Sequence, residues 1–403
     1  MRIALIYASE SSTLYPLPLL KIGAMLRDRG EMVELFVNKL PKEGKHYDEA
    51  WISTCFTYDI PAARALIVEV KKRIHKIRVG GIAATLLPDS FRGLGVDVHI
   101  GLLADAEAFS PDYTLLEEKP AYSIAHTTRG CVRDCKFCMV PTLEPKFQHR
   151  TDWEKDIHPE TSTVLFYDNN WLAKKDSEWN EDVAKLRALT ASGRIKSFDF
   201  NQGLDCRLMT EERAKALEGL PLRPIRFAFD GKHEDKHYQR AIRLMHEHGF
   251  NEFLSYVLWN FMDTPEDFYY RLRVAAELTD ELVCTVRSFP MRFQPILEVD
   301  PSRSYTGKHW TKVERRAVFE ILNSTATHGQ VSTVGGRGGF ASAVGEFELF
   351  FGKDEKEFRK LLNYPGISKL MEKRKGWLSF RRAQDRAAGV LSVRQKERAR
   401  RAV

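Results

Sequence analysis

The chain has 403 residues, a formal net charge of +7, 43% apolar and 29% charged side chains. That length is too great for one ordinary hydrophobic core and predicts two or three domains, in the balance expected of a soluble globular protein. No apolar run approaches the roughly 18 residues a membrane span needs, so no membrane is expected as anchor or partner.

The opening run from Met1 to Tyr7 turns polar at Ser9 and Glu10. It is too short for the core of an export signal and suits a buried first strand. The expected compartment is therefore the cytoplasm. Thiols stay reduced there, so clustered cysteines among the six point to metal or redox chemistry rather than disulfides.

Strand and helix patterns alternate over the first hundred residues. Ile3–Ala8 predicts a strand. Leu17–Arg29 predicts a helix with Leu19, Leu20, Ile22, Met25 and Leu26 on its apolar side, ended by Gly30. Met32–Val37 and Trp51–Phe56 predict strands, with a helix from about Pro61 to His75. Ile77–Val79 enters Gly80-Gly81, and Val96–Ile100 is a further strand. This alternation predicts an α/β fold, with a Rossmann-like parallel sheet domain over residues 1–110. The segment from Asn38 to Glu49 leaves little room for a helix. A linker from Ala104 to Pro120 follows.

The pattern then restarts. Strands are expected at Tyr122–Thr128, Thr163–Tyr167, Ser197–Asn201, Ile225–Asp230, Phe253–Trp259 and Leu282–Val286. Helices are expected at Trp179–Leu189, Thr210–Leu217, Tyr238–His248 and Pro265–Leu278. Six strand–helix units over residues 120–296 suit a partial (β/α)6 barrel, whose chemistry gathers at the C-terminal strand ends. The pattern weakens after Pro295. Residues 297–403 form a C-terminal extension, with a mobile glycine-rich loop expected over Val331–Phe340 and a helix-prone basic end.

Three cysteines fall within eight residues of the run Thr128-Arg129-Gly130-Cys131-Val132-Arg133-Asp134-Cys135-Lys136-Phe137-Cys138. Iron–sulfur clusters are held by cysteine thiolates. A cubane needs four iron ligands and this loop supplies three, which leaves one iron open to a small molecule. Core cysteines would not crowd a loop rich in Arg, Asp and Lys. A structural zinc site wants four ligands, and His126 or His149 would complete one, so that alternative stays open here. Cys55, Cys206 and Cys284 lie far apart and are expected to be ordinary buried thiols.

Cys131-x3-Cys135-x2-Cys138, with an aromatic residue before the last cysteine and Arg129-Gly130 before the first, resembles the signature of radical S-adenosylmethionine enzymes. The resemblance spans roughly residues 1–296. It implies a [4Fe-4S] cluster on Cys131, Cys135 and Cys138, with the open iron chelated by S-adenosylmethionine. Reductive cleavage of the sulfonium then yields a 5′-deoxyadenosyl radical that abstracts hydrogen from a substrate the sequence does not identify. An electron donor such as flavodoxin or ferredoxin is implied as partner. Phe137 and Met139, beside the ligands, are expected to contact the adenine. Tyr167, Asp168, Asn169 and Asn170 end the second barrel strand, where the family often has a Gly-Gly-Glu-like segment for the methionine amino group. Asn201, Gln202 and Arg207 follow the third, suited to ribose hydroxyls or a carboxylate, and Asp230 ends the fourth. A polar residue after a strand often only caps a turn; the set at successive strand ends favours cofactor binding.

The N-terminal domain resembles the cobalamin-binding domain that precedes many such barrels, through Tyr15-Pro16-Leu17, Tyr47-Asp48 and Val79-Gly80-Gly81-Ile82-Ala83-Ala84-Thr85. An Asp-x-His-x-x-Gly lower-ligand motif is absent, since Asp97-Val98-His99 has the wrong strand and spacing. Some members of that subgroup bind cobalamin with no protein histidine, so cobalamin stays an alternative; with the motif missing and the second helix cut short, a tightly bound corrinoid is expected to be absent or substoichiometric. With cobalamin the reaction would be methylation of an unactivated carbon; without it, hydrogen abstraction followed by rearrangement, oxidation or group insertion.

From Lys353 to Val403 there are 16 basic against 6 acidic residues, a net of +10, while residues 1–352 carry a net of −3. Basic residues interleave with Trp377 and Phe380 there, which suits a polyanionic substrate or partner such as a nucleic acid or nucleotide. A solvated helical tail has the same composition. The alternative from another class is a non-catalytic, metal-scaffolded nucleic-acid-binding protein.

Overall fold

The computed structural model describes residues 1–10, 12, 14–325 and 343–387. The glycine-rich run at 331–340 and the chain beyond 387 lie outside the described residues. The chain divides into two compact units, Met1–Asn169 with Pro295–Ser304, and Asn170–Gln294 with Tyr305–Val403. This division differs from the expected segments 1–110, 120–296 and 297–403. The first two strands expected of the barrel belong to the first unit, and the C-terminal helices belong to the second.

In the first unit, β1 (Arg2–Tyr7) is followed by α1 (Leu17–Asp28), β2 (Met32–Val37), β3 (Glu49–Ser53), α2 (Ile60–Lys71), β4 (Lys76–Gly80), α3 (Ile82–Leu86) and β5 (Asp97–Val98). The strands form one parallel sheet in the order β2-β1-β3-β4-β5, with Ile6 opposite both Phe36 and Ile52. Alternation along β1 explains its two covered faces. Ala4 and Ile6 pack with Ile67 and Val70 of α2, while Ile3 and Leu5 pack with Leu19, Leu20 and Met25 of α1. No helix separates β2 from β3, as the short segment predicts.

Three expectations change here. The strand at Val96–Ile100 shrinks to β5. The expected linker carries α4 (Ala104–Glu107) and a buried turn in which Tyr113 and Leu115 join the α1 core. The strand expected over Tyr122–Thr128 stops early. β6 (Ser123–Ala125) is followed by β7 (Thr128–Arg129), α5 (Val140–Leu143), β8 (Gln148–His149) and β9 (Thr163–Phe166). β6 pairs in parallel with β9, whereas β7 pairs antiparallel with β8. The break has a cause: the Asp168 carboxylate accepts the N–H groups of Thr127 and Thr128, which a continuing strand would have needed for its ladder.

The second unit alternates α6 (Asp176–Ala191), β10 (Ser197–Phe200), α7 (Glu211–Leu217), β11 (Ile225–Ala228), α8 (Asp235–Glu247), β12 (Glu252–Trp259), α9 (Pro265–Leu282) and β13 (Thr285–Arg292). β11, β12 and β13 form a parallel sheet, and β10 lies parallel to the approach to β11 through the bridge Phe198↔Leu222. The strand expected at Leu282–Val286 is corrected. Helix α9 runs through Leu282, Val283 turns left-handed at φ 52°, and only then does β13 begin. An apolar run such as Leu282-Val283-Cys284 fits a helix end and a strand start alike. Pairing decides, because β13 matches β12 from Glu252↔Thr285 to Trp259↔Arg292.

Beyond Pro295 the weak pattern hides α10 (Lys312–Thr325), α11 (Val344–Phe351), α12 (Glu355–Leu362) and α13 (Ile367–Ala387). Their apolar sides close on Trp259, Phe268 and Leu272 through Ile321, Phe347, Phe351, Phe358 and Met371, one core shared with the outer side of α9. Among the described residues, no helix is long and apolar enough to cross a membrane.

Candidate metal centre

The three clustered cysteines sit on the excursion between β7 and β8. All three are half-buried, and none of the six cysteines in the chain is in a disulfide. The excursion is closed at its base by the β7–β8 ladder and by Arg150 N donating to Thr127 O at 2.9 Å. Gly130 makes the closure possible. Its φ is +70°, and a Cβ there would lie 2.3 Å from the Lys146 carbonyl oxygen. Within the loop, Arg133 N donates to Cys131 Sγ at 3.4 Å and Val140 N donates to Cys138 Sγ at 3.5 Å. Iron–sulfur clusters are held by cysteine thiolates, and these two sulfurs face backbone N–H groups.

Glu144 organises this loop, and no sequence motif marks it. Its Oε2 accepts from Gly130 N at 2.7 Å and from Asn169 Nδ2 at 2.7 Å, and its Oε1 accepts from Arg129 Nη1 at 2.9 Å. Arg129 also donates to Glu107 at 2.8 Å. Glu107 and Asp156 each lie 3.6 Å from the buried Lys21 ammonium. Burial pulls the Lys21 pKa down, and the two carboxylates oppose that. The base of the cysteine loop is thus tied by charge to α1.

The end of β9 lies beside the same loop. Asp168 Oδ1 accepts from Thr127 N at 2.9 Å, Thr127 Oγ1 at 2.8 Å and Thr128 Oγ1 at 2.7 Å. That oxygen therefore holds the loop base, and Asn169 reaches it through Glu144. Phe137 and Met139 are half-buried in the loop itself. The Tyr167 hydroxyl is buried without a hydrogen-bond partner, and its ring stands edge-on to His126 at 5.9 Å. Burial keeps His126 neutral, well below the usual histidine pKa. Among the described residues, no group of three His, Cys, Asp or Glu side chains, the three cysteines included, is already drawn together around one point.

The other expected site residues fall in the second unit. Asn170 Nδ2 donates to Asp205 Oδ2 at 3.4 Å, and Asp205 accepts Arg207 Nε at 2.6 Å. Arg207 and Asp230 meet at Glu234, which lies 3.1 Å from the guanidinium and accepts Asp230 N at 2.9 Å. Burial first, and the Glu234 charge second, push the Asp230 carboxyl up to about 7. Asn201 contributes its carbonyl to the Tyr256 hydroxyl at 2.5 Å, and Gln202 is exposed. Arg271, fully buried on α9, donates to the carbonyls of Phe229 at 3.0 Å and Leu258 at 2.6 Å, tying together the ends of β11 and β12. Nothing in the sequence marked Glu234 or Arg271, because both look like ordinary helical charges.

In the N-terminal sheet the order reverses between β1 and β3, the point where doubly wound sheets take ligands. Ser9 Oγ donates there to Asp59 Oδ2 at 2.8 Å and accepts from Cys55 N at 3.3 Å. Burial pushes the Cys55 thiol up to about 11. The Thr54 hydroxyl is buried without a partner, as is that of Tyr167, whose pKa is raised by burial and by the nearby Tyr7 and Cys55. Gly81, at φ +95°, lets its loop come against Thr54, since a Cβ there would lie 2.5 Å from Thr54 O. This donor set fits a polar ligand end. It does not fit a cobalt-ligating one, because neither segment 8–16 nor segment 54–59 contains a histidine, and His99 is exposed beyond β5.

No protein-family model matches the chain, and a search of curated proteins gave no match. Among solved structures, the chain is similar to a radical S-adenosylmethionine methyltransferase, TsrM, from Kitasatospora setae, described with cobalamin and a [4Fe-4S] cluster bound. The TM-score is 0.56 at 12% identity, over 79% of this chain and 78% of that one. At that identity the likeness is one of fold: mixed α/β with parallel sheets.

Proposed function

We propose that the chain is a radical S-adenosylmethionine enzyme whose [4Fe-4S] cluster is held by Cys131, Cys135 and Cys138. The observation that carries this reading is the loop itself: three thiols within eight residues, two of them facing backbone N–H groups, on an excursion closed by Gly130 and Glu144. The fold likeness supports it. Bound there, the cluster would pass one electron, taken from a flavodoxin- or ferredoxin-like donor, to S-adenosylmethionine, giving methionine and a 5′-deoxyadenosyl radical. The chain's part is to bind, orient and exclude water. Phe137 and Met139 flank the last thiol and are assigned to the adenine. Asn169, fixed by Glu144, is assigned to the methionine end. In the second unit, Arg207, Asp230, Asn170, Asn201 and Gln202 are assigned to ribose, carboxylate or substrate.

The test is anaerobic reconstitution with iron and sulfide, then reduction with S-adenosylmethionine present. The wild type should hold four irons and release 5′-deoxyadenosine, and Cys131→Ala, Cys135→Ala or Cys138→Ala should each lose the cluster. One zinc and no iron would overturn the cluster assignment. Four irons without cleavage, even with substrate present, would overturn the radical one. A second reading, corrinoid-dependent methyl transfer, is favoured by the unpartnered Thr54 and Tyr167 hydroxyls near the β1–β3 reversal. It would show as S-adenosylhomocysteine and a methylated product in a corrinoid-containing preparation.

A further inference from the structure

The side chains of α13 divide into two sets. Ile367, Met371 and Leu378 are buried in the core of the second unit, and Arg382 Nη2 pairs with Glu346 at 2.7 Å. At about 100° per residue, Lys369, Lys373, Phe380 and Gln384 fall on the opposite side, with Trp377 next to them and Arg381 at its flank. Trp377 is 48% exposed and Phe380 is 62% exposed. The Arg381 guanidinium lies 5.3 Å from the Trp377 ring centroid. Among the described residues, no carboxylate pairs with Lys369, Lys373 or Arg381, although α12 carries acidic side chains and the exposed Glu372 lies beside Lys369 on α13 itself.

Two large rings stand well exposed outside the core, and among the described residues the cations beside them hold no carboxylate. We infer that this outward face of α13 binds a single-stranded nucleic acid. The phosphates would lie on Lys369, Lys373 and Arg381, and bases would stack on Trp377 and Phe380. The net +10 from Lys353 onward, against −3 elsewhere, is the matching charge. A single strand is favoured over a duplex because its base faces are free to stack. A lipid surface is disfavoured because the continuous apolar side of α13 is already buried, leaving no apolar face to enter acyl chains. This inference does not rest on the cluster reading; it supplies a substrate or partner class to an enzyme whose substrate the cysteines do not define.

The full-length reconstituted protein would be titrated into labelled mixed-sequence RNA and DNA oligonucleotides, single- and double-stranded, over a range of potassium chloride. Fluorescence anisotropy gives affinity and salt slope. Single strands should bind more tightly than duplexes, and the RNA and DNA arms identify which strand is preferred. The triple change Lys369→Gln, Lys373→Gln, Arg381→Gln should flatten the log–log slope by about 0.7 for each phosphate no longer neutralised, so about 2 in all. The double change Trp377→Ala, Phe380→Ala should weaken binding at least about tenfold with the slope unchanged. All five side chains are exposed, so thermal unfolding and iron content should match the wild type. No wild-type binding, or binding untouched by both variants, overturns the inference. So does loss confined to the charge variant together with equal competition by polyglutamate or anionic vesicles, which would mean simple attraction to negative charge.

Discussion

At the scale of the residue, Glu144 accepts from Gly130, Arg129 and Asn169, and so joins the residue before the first thiol to the end of β9. Hydrogen bonds to a charged acceptor contribute about 1.5–3 kcal/mol each, and losing the acceptor strands the donors. Glu144→Ala is therefore expected to lower stability by about 2 kcal/mol or more and to reduce iron loading well below wild type. Glu144→Gln should fall between them, because one amide oxygen can serve only part of the set. Cys206→Ala and Cys284→Ala, at buried thiols of the second unit, should leave iron content unchanged, which separates a loop defect from general destabilisation. The three cysteines were legible in sequence because they crowd together. Glu144 was not, because its meaning lies in partners 14, 15 and 25 residues away. Asp230 gives a test that depends on pH. Its carboxyl ionises near 7 in the fold against 3.8 as the ordinary value, so the folded state binds the proton more tightly. Stability attributable to this group is then present at low pH and is lost as pH rises from about 4 to about 7. Asp230→Asn should gain on the wild type through that window, by a few kcal/mol at most, and the gap should level off above it. Urea unfolding at several pH values reads this directly, and a gap that does not change with pH would refute it.

At the scale of the element, the decisive events are interruptions. The expected strand over Tyr122–Thr128 is cut because Asp168 takes the Thr127 and Thr128 N–H groups, and the chain leaves as the cysteine loop instead. Periodicity cannot see such a cut, since a remote side chain makes it. The α9–β13 boundary failed for a different reason: Leu282-Val283-Cys284 fits both states, and the pairing of β13 with β12 chose between them. What was legible was strong local signal, such as the helix expected to open at Pro265, where α9 does begin. There Thr264 Oγ1 accepts Asp267 N at 3.2 Å and Asp267 returns the bond at 3.2 Å. Thr264→Ala should cost about 1 kcal/mol, seen as a lower urea midpoint with an unchanged m value. Gly130→Ala should do something else. It puts a Cβ 2.3 Å from a backbone oxygen and asks alanine for a φ of +70°. The loop base must then open, so iron loading should collapse while far-UV circular dichroism keeps nearly the wild-type helix signal.

At the scale of the whole molecule, the α/β class and the parallel N-terminal sheet follow from alternating apolar runs bounded by glycine and polar turns. The described helices beyond Pro295 do not, because α10–α13 bury their apolar sides on α9, and their pattern gains meaning only from that shared core. The N-terminal sheet poses the remaining functional question. Its strand order matches a ligand-taking doubly wound sheet, and the fold is similar to that of an enzyme described with cobalamin bound. The residues at the reversal point argue the other way about cobalt. Ser9 Oγ donates to Asp59 and accepts the Cys55 N–H, burial pushes the Cys55 thiol up to about 11, and neither segment 8–16 nor segment 54–59 contains a histidine. No helix lies between β2 and β3, where a doubly wound sheet would have one. After expression with ample cobalamin, the purified protein should therefore carry much less than one corrinoid per chain by visible spectroscopy, at unchanged iron content. Thr54→Val, which keeps the shape and removes the unpartnered hydroxyl, should be neutral or stabilising if no ligand uses that oxygen, because a buried hydroxyl without a partner costs free energy. A stoichiometric corrinoid spectrum, lost in Thr54→Val, would reverse the conclusion and make methyl transfer the better account of the chain.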